Sequence, residues 1–183
     1  MTDLNQQSDL TKEQIDSVIK LYSNGQYQEA IDQIKTLNEI HPNVPFLFNL
    51  IGACYKALGQ LKGSAMMFET AVDIKPDYAE AHKNLGITLR GLGQLDKAVK
   101  SLNKAISTEP HNVDAHYNLA ITLKDLEQPE SAIQSYKKAI EIKPDFVQAH
   151  NNLGNIYKDL EQPESAIQSY KKAIEIKPDF VQA

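Results

Sequence analysis

Apolar residues in this chain recur with the spacing of an amphipathic α-helix. One stretch places its stripe at His116, Leu119, Ala120 and Leu123, and the next at Ala132, Ile133, Tyr136, Ala139 and Ile140. Steps of three and four residues bring side chains onto one face of a helix. Short breaks that contain glycine or proline separate such stretches. The pattern therefore predicts a succession of short helices, each with one buried face.

The helical pattern repeats every 34 residues. The segment KDLEQPESAIQSYKKAIEIKPDFVQA begins at Lys124 and occurs again, unchanged, from Lys158. Prolines follow the same period, at Pro42, Pro76, Pro110, Pro144 and Pro178. We therefore predict five units of two helices each, at 11–44, 45–78, 79–112, 113–146 and 147–180. Residues 1–10 are expected to form a flexible tail, and residues 181–183 are expected to begin a truncated sixth unit.

The turn inside each unit carries a signal that ends the first helix. A glycine stands there in the first three units, at Gly25, Gly59 and Gly93, and glycine suits a left-handed cap. Glu127 and Glu161 take this place in the last two units. Because a glutamate in that conformation costs about 1–2 kcal/mol, these two turns are expected to use another geometry.

The first unit is the least typical of the five. Its apolar stripe lies one residue out of phase with the others, but its beginning is well marked. Thr11 is followed three residues later by Gln14, which is typical of a capping box at the start of a helix.

Composition narrows the class of protein. The 183 residues are 42% hydrophobic and carry a net charge of −5 at pH 7, which suits a folded chain and disfavours a nucleic-acid partner. Cys54 is the only cysteine, so no internal disulfide can form. The N-terminus lacks the basic and apolar regions of a secretory signal, and no apolar run is long enough to cross a bilayer. These features predict a cytoplasmic protein without a membrane segment.

The units resemble the tetratricopeptide repeat, a 34-residue pattern of the form W-x2-L-G-x2-Y, then A-x3-F, then P. The fifth unit follows it with His150, Leu153, Gly154, Tyr157, Ala166, Tyr170 and Pro178. The resemblance implies an all-α fold, a right-handed α-solenoid of stacked antiparallel helix pairs, in which the first helix of each pair lines a concave groove. One helix pair cannot bury its apolar face alone, whereas stacked neighbours share a continuous core.

Polar residues occupy the face of each first helix that lies opposite its apolar stripe. Since a helix turns about 100° per residue, these positions are expected to face the groove. The predicted peptide-binding residues are Asn49 and Lys56 in the second unit, Lys83, Asn84 and Arg90 in the third, Tyr117, Asn118 and Lys124 in the fourth, and Asn151, Asn152, Asn155 and Lys158 in the fifth.

Two rows of equivalent residues run along this face. The amide row consists of Asn84, Asn118 and Asn152, and the cation row of Lys56, Arg90, Lys124 and Lys158. Amides can bind the backbone of an extended peptide, and the cations favour carboxylates. Alternatively, both rows are solvated positions that were copied with the repeat. The amide row is similar to that in the repeat arm of O-linked N-acetylglucosamine transferases. Ile87 and Gln148 depart from the pattern with which co-chaperone repeats bind chaperone tails, so that class of partner is not expected.

No pattern in the chain indicates catalysis. His82, His116 and His150 recur every 34 residues, but equivalent positions on stacked helices lie roughly 8–10 Å apart. This is too far for the three rings to share one zinc ion, so they are interpreted as packing residues. Cys54 lies on a predicted helix and is expected to be buried. Neither a metal site nor a cofactor is predicted.

The leading hypothesis is a non-enzymatic scaffold for protein–protein interaction that binds an extended peptide in its groove. The alternative is a substrate-docking arm of a larger enzyme, such as a glycosyltransferase or another transferase. The last helix is also expected to leave an apolar face uncovered, which predicts a homo-oligomer formed through the C-terminal repeat.

Overall fold

The computed structural model describes residues 10–178, and this part of the chain forms ten α-helices and no β-strand. In chain order the helices are α1 (Lys12–Ser23), α2 (Tyr27–Ile40), α3 (Pro45–Ala57), α4 (Leu61–Ile74), α5 (Ala79–Gly91), α6 (Leu95–Thr108), α7 (Val113–Asp125), α8 (Pro129–Ile142), α9 (Val147–Asp159) and α10 (Pro163–Ile176). Apart from Leu10, the predicted N-terminal tail lies outside the described residues, and so does the predicted start of a sixth unit.

The helices pack in the order in which they follow one another. Each odd-numbered helix pairs with the even-numbered helix after it, and each even-numbered helix also packs against the next odd-numbered one. Odd-numbered helices contact each other as well: α3 contacts α5, and α5 contacts α7. They therefore line one common face of the stack. This arrangement confirms the predicted all-α solenoid of stacked helix pairs.

Small residues let the two helices of a pair approach closely. Gly52, Gly86 and Gly154 occupy the same position on α3, α5 and α9. A Cβ atom at Gly86 would lie 2.6 Å from Leu102 Cγ, and one at Gly52 would lie 2.7 Å from the Phe68 ring. The large side chain of the second helix thus fills the space that a side chain on the first helix would need.

The turns inside the last two units correct the expectation for their glutamates. Glu127 and Glu161 have φ angles of 57° and 55°, in the left-handed region that Gly59 occupies with a φ of 73°. The Glu127 N–H donates to the Lys124 carbonyl oxygen at 2.9 Å, and the Gln128 N–H donates to that of Leu123 at 2.9 Å. These two bonds satisfy carbonyls at the helix end and offset the strain of the glutamate backbone. The expectation of another geometry was wrong because it counted the strain without these bonds.

The start of the first helix is as predicted. The Thr11 N–H donates to Gln14 Oε1 at 2.8 Å, and the Gln14 N–H donates to Thr11 Oγ1 at 3.2 Å. The two residues thus form the capping box that satisfies exposed backbone groups at the N-terminus of α1.

Between residues 10 and 178, no helix combines the length and the apolar character that crossing a bilayer requires.

Candidate functional site

The predicted peptide-binding residues lie on α3, α5, α7 and α9, the odd-numbered helices that line one face of the stack. We call this face the concave groove. The side chains differ in how deeply they lie in it: Lys56 and Arg90 are half-buried, whereas Lys124 and Lys158 are exposed. The cation row is therefore not uniform along the groove.

The three residues of the amide row bind different partners. Asn84 Nδ2 donates to Asn49 Oδ1 at 3.2 Å and to Glu80 Oε1 at 3.3 Å. Asn152 Nδ2 donates to the hydroxyls of Tyr117 at 3.0 Å and Tyr136 at 3.3 Å. The structure thus brings Asn49 together with Asn84, and Tyr117 together with Asn152.

Asn118 lacks a comparable bond to the preceding repeat. The residue 35 positions earlier is Asn49 for Asn84 and Tyr117 for Asn152, and both offer an oxygen that accepts. For Asn118 it is Lys83, whose ammonium group only donates. Asn118 Nδ2 instead donates to the Asp114 carbonyl oxygen of its own helix at 2.8 Å. Its amide is therefore the one in the row that binds no side chain of another described helix.

An aromatic cluster surrounds Asn152 in the last two repeats. The Tyr117 ring centroid lies 4.8 Å from that of Phe146 and 5.7 Å from that of Tyr136. Burial raises the pKa of both tyrosine hydroxyls above the usual value, so both remain protonated at neutral pH. Asn155 accepts a hydrogen bond from Tyr170 at 2.7 Å. These contacts hold this part of the groove in one arrangement.

Most cations in the groove have a carboxylate partner. Lys83 Nζ lies 2.7 Å from Glu80 Oε2 on the same helix. Arg90 lies 3.8 Å from Asp125, and Lys124 lies 3.8 Å from Asp159, so each of these pairs joins two adjacent repeats. Such partly exposed pairs are worth little in stability, but they leave the cations less available to a ligand.

Among the described residues neither Lys56 nor Lys158 has such a partner, and of the two only Lys56 is half-buried. No carboxylate oxygen in this part of the chain lies within salt-bridge distance of the Lys56 Nζ. Burial lowers the pKa of Lys56, and the charges of Lys83 and Arg90 lower it further, while Glu80 acts in the opposite direction. Lys56 is thus a half-buried cation with more positive than negative charge around it.

A cavity of about 420 Å³ opens beside Lys56. Its lining mixes amides with apolar surface, and consists of Tyr22, Asn49, Leu50, Ala53, Lys56, Ala57, Phe68, Glu80 and Asn84. The lining residues that were not among the predicted binding residues are Tyr22, Leu50, Ala53, Ala57, Phe68 and Glu80. The available signal was Leu50, which stands at the place where the next three units carry asparagine.

The recurring histidines bind the backbone between repeats. The Nε2 atoms of His82, His116 and His150 each lie 2.9 Å from a carbonyl oxygen six residues earlier, those of Pro76, Pro110 and Pro144. A ring nitrogen bonded to a carbonyl carries the hydrogen. The rings of His116 and His150 are also buried, which agrees with their interpretation as packing residues. Within residues 10–178, no three His, Cys, Asp or Glu side chains are arranged to hold a metal ion.

Cys54 is fully buried in the core of the first two repeats. Burial raises the pKa of its thiol to about 11, so the thiol is protonated at neutral pH and is a poor nucleophile. This agrees with the prediction of a buried packing residue.

Family models match most of the chain. Matches described as "Tetratricopeptide repeat" cover residues 47–78, 67–100 and 147–180, and matches described as "TPR repeat" cover residues 88–127 and 123–161. Among curated proteins, anaphase-promoting complex subunit 3 of Dictyostelium discoideum is 42% identical over 53 residues. That match spans 29% of this chain and only 6% of the relative.

Solved structures of similar fold cover nearly the whole chain. A crystal structure of MamA is 25% identical, with a TM-score of 0.83, over 88% of this chain and 94% of that one. MamA from Desulfovibrio magneticus RS-1 is 20% identical, with a TM-score of 0.85, over 96% of this chain and 99% of that one. YrrB, described as a TPR protein with an unusual peptide-binding site, is 23% identical, with a TM-score of 0.78, over 96% and 90%. With its period, its stacked helix pairs and these matches, the chain belongs to the tetratricopeptide repeat family.

Proposed function

We propose that this protein is a non-catalytic scaffold that binds an extended segment of a partner protein in its concave groove. The observation that carries the proposal is the row of amide and cationic side chains on consecutive odd-numbered helices, next to a cavity of about 420 Å³. Amides offer both donors and acceptors to a peptide backbone, and the cavity offers room for a side chain. The sequence-based prediction of a cytoplasmic location belongs to the same proposal.

Two similar proteins support this choice of function. The description of YrrB names a peptide-binding site, and the Dictyostelium relative is named as a subunit of a larger complex. Both descriptions concern proteins that interact with other chains. The groove of this protein could bind an extended peptide, because its polar residues are repeated on successive odd-numbered helices.

The amide row is tested by removing two of its side chains. We expect Asn118→Ala combined with Asn152→Ala to weaken binding of peptides selected on the wild-type chain about thirtyfold, since two hydrogen bonds to the peptide backbone are lost and each is worth about 1 kcal/mol. Binding is measured by fluorescence anisotropy, after selection from a displayed library of 12-residue random peptides.

Two controls accompany this test. Lys100→Ala removes an exposed side chain on α6, away from the groove, and should leave affinity unchanged. Asn118→Ala alone separates binding from folding, because Asn118 bonds only within its own helix, whereas Asn152 also holds two tyrosines. Unchanged affinity in the double variant, with an unchanged melting temperature, would refute the groove assignment.

A second candidate is a substrate-docking arm of a larger transferase. The observation that favours it is the asparagine at the same position of α5, α7 and α9, the row on which the sequence-based expectation of a transferase arm rests. An immunoblot of source cells with an antibody against residues 11–180 distinguishes the two candidates. A band near 20.5 kDa favours the free-standing scaffold, and a much larger band favours the arm.

We also propose that two copies of this protein associate through the outer face of α10. Helices α8 and α10 have the same sequence, PESAIQSYKKAIEI. Ile133 and Ile140 of α8 pack into a core cluster, whereas the equivalent Ile167 and Ile174 of α10 are 52% and 42% exposed. The same apolar face is therefore covered in one helix and open to solvent in the other.

A further inference from the structure

Lys56 occupies a repeated position but lacks the aspartate partner that Arg90 and Lys124 have. Arg90 and Lys124 each meet an aspartate 35 residues later, at 3.8 Å in both cases. The residue 35 positions after Lys56 is Gly91, which has no side chain to offer. One member of the repeating ion pair is therefore missing at the junction between the second and third repeats.

The carboxylates of Glu80, which acts on the charge of Lys56, and of Asp125, which lies beside Arg90, are already engaged. Glu80 lies 2.7 Å from Lys83 and also accepts from the amide of Asn84. Asp125 pairs with Arg90. Because Lys56 is half-buried, water compensates its charge only in part, and an additional anion at this place would be stabilised.

The surroundings of Lys56 define the kind of ligand that fits. Asn49 and Asn84 supply amide groups to the cavity, and Leu50, Ala53 and Ala57 supply apolar surface. A group that combines a carboxylate with a hydrocarbon stem matches this mixture. A phosphate or an inorganic anion would leave the apolar part of the lining uncovered.

The lining of the cavity spans three consecutive odd-numbered helices of the groove, α1, α3 and α5. Tyr22 of α1 lines it on one side of α3, and Asn84 of α5 lines it on the other. A peptide that follows the groove would therefore have contacts on both sides of Lys56. This favours a side-chain carboxylate over a chain terminus, because a terminus would leave part of the lining without contact.

We propose that Lys56 is the specificity-determining residue of the groove, and that it binds the carboxylate of an aspartate or glutamate in an extended peptide whose neighbouring apolar side chain packs on Leu50 and Ala53. This inference rests on the proposed function of peptide binding and adds the chemistry of the ligand. The subsite belongs to the second and third repeats, whereas the equivalent places in the next two junctions are closed by Asp125 and Asp159.

The missing aspartate suggests a direct test. Gly91→Asp places a carboxylate at the position from which Asp125 meets Arg90, and should neutralise Lys56 from within the protein. Gly91→Asn has nearly the same size without the charge. A Cβ at this position would lie 3.2 Å from Leu61 Cδ1, the flexible end of a side chain, so both variants carry the same small steric change.

Peptides are selected on the full chain from a library of random 12-residue sequences that are attached through their C-termini. Because no terminal carboxylate is free, only aspartate and glutamate side chains offer a carboxylate. On the wild-type protein we expect enrichment of an acidic residue next to an apolar one. Gly91→Asp and Lys56→Gln should bind the selected peptides about tenfold more weakly, as is typical when a charged hydrogen bond is lost. Gly91→Asn should bind them as tightly as the wild type, and so should Lys100→Gln, which changes an exposed side chain on α6 away from the groove.

The possible results separate the two proposals. Selected peptides without a preferred acidic position, or with the same affinity for Lys56→Gln, would overturn the Lys56 subsite and leave peptide binding intact. Equal losses in Gly91→Asp and Gly91→Asn would also overturn the subsite, because size rather than charge would explain them. Failure to enrich any peptide above beads without protein would overturn the proposed function as well.

Discussion

At the scale of single residues, the turns of this protein show how a hydrogen-bond pattern outweighs a local preference. Glu127 and Glu161 hold a backbone conformation that normally selects glycine. The helix-ending bonds are the same as in the turn at Gly59, where the Gly59 and Gln60 N–H groups donate to Lys56 and Tyr55. The proline that follows two residues later, as Pro129 does Glu127, starts the next helix and fixes the direction of the chain.

This strain predicts that Glu127→Gly stabilises the protein. Glycine removes the cost of the left-handed backbone, about 1 kcal/mol, although part of the gain is lost to the flexibility of the unfolded chain. The measurement is the midpoint of thermal or urea unfolding by circular dichroism.

Gly59→Ala is the matched control for the turn. A Cβ at Gly59 would meet nothing within 4 Å, so only the backbone preference can act, and the melting temperature should fall. A lower stability of Glu127→Gly would contradict this prediction, because the glutamate side chain would then stabilise the turn by more than the strain of its backbone costs.

At the scale of helices, the close approach within each pair decides how the repeat packs. In the third repeat a Cβ at Gly86 would meet Leu102 Cγ at 2.6 Å and the Ala98 carbonyl oxygen at 3.1 Å. In the fourth repeat the equivalent residue is Ala120, which shares a buried cluster with Tyr136. A tyrosine on the second helix is therefore compatible with a methyl group on the first.

The comparison predicts different costs for the same substitution in two repeats. Gly86→Ala should destabilise the protein by about 1–3 kcal/mol, as overpacking of a buried site does, because a backbone oxygen cannot move aside. Gly154→Ala should cost less than about 1 kcal/mol, since the Tyr170 ring it meets is only half-buried and can shift. Urea unfolding of both variants measures the difference, and equal losses would contradict this account.

The sequence was sufficient for the fold but only partly for the groove. The 34-residue period and the apolar stripes specify helices and their stacking, because these depend on spacing alone. The hydrogen bonds of the amide row depend on the residue 35 positions before each asparagine. That residue is Asn49, Lys83 or Tyr117, and only the first and the last accept a bond. The unpaired state of Lys56 could have been found by comparing Gly91 with Asp125 and Asp159, since the three positions are equivalent.

At the scale of the whole molecule, each repeat covers the apolar face of its neighbour, and the core continues from one cluster to the next. The stability of such a stack is approximately the sum of contributions from units and junctions. The outer face of α10 has the same sequence as the covered face of α8. It is therefore suited to pack against another helix.

The exposed face of α10 predicts self-association that charge can abolish. We expect the wild-type protein to sediment as an oligomer at high concentration, and Ile167→Lys combined with Ile174→Lys to shift it to the monomer. Ile40→Lys combined with Met66→Lys is the matched control, because these side chains are also exposed, at 57% and 61%, but lie on α2 and α4. A wild-type protein that sediments as a monomer at every concentration would refute the proposed interface.

The ion pairs between repeats bear on how further repeats can be added to the array. Lys124 meets Asp159, and Lys158 and the residues around it repeat the segment that begins at Lys124. Each copy therefore carries both the cation that faces the next repeat and the carboxylate that faces the previous one. A duplicated unit can join the array without a new interface and without a change in the charge of the junction. The number of repeats then sets the length of the groove. It also sets the length of the partner segment that the groove can hold.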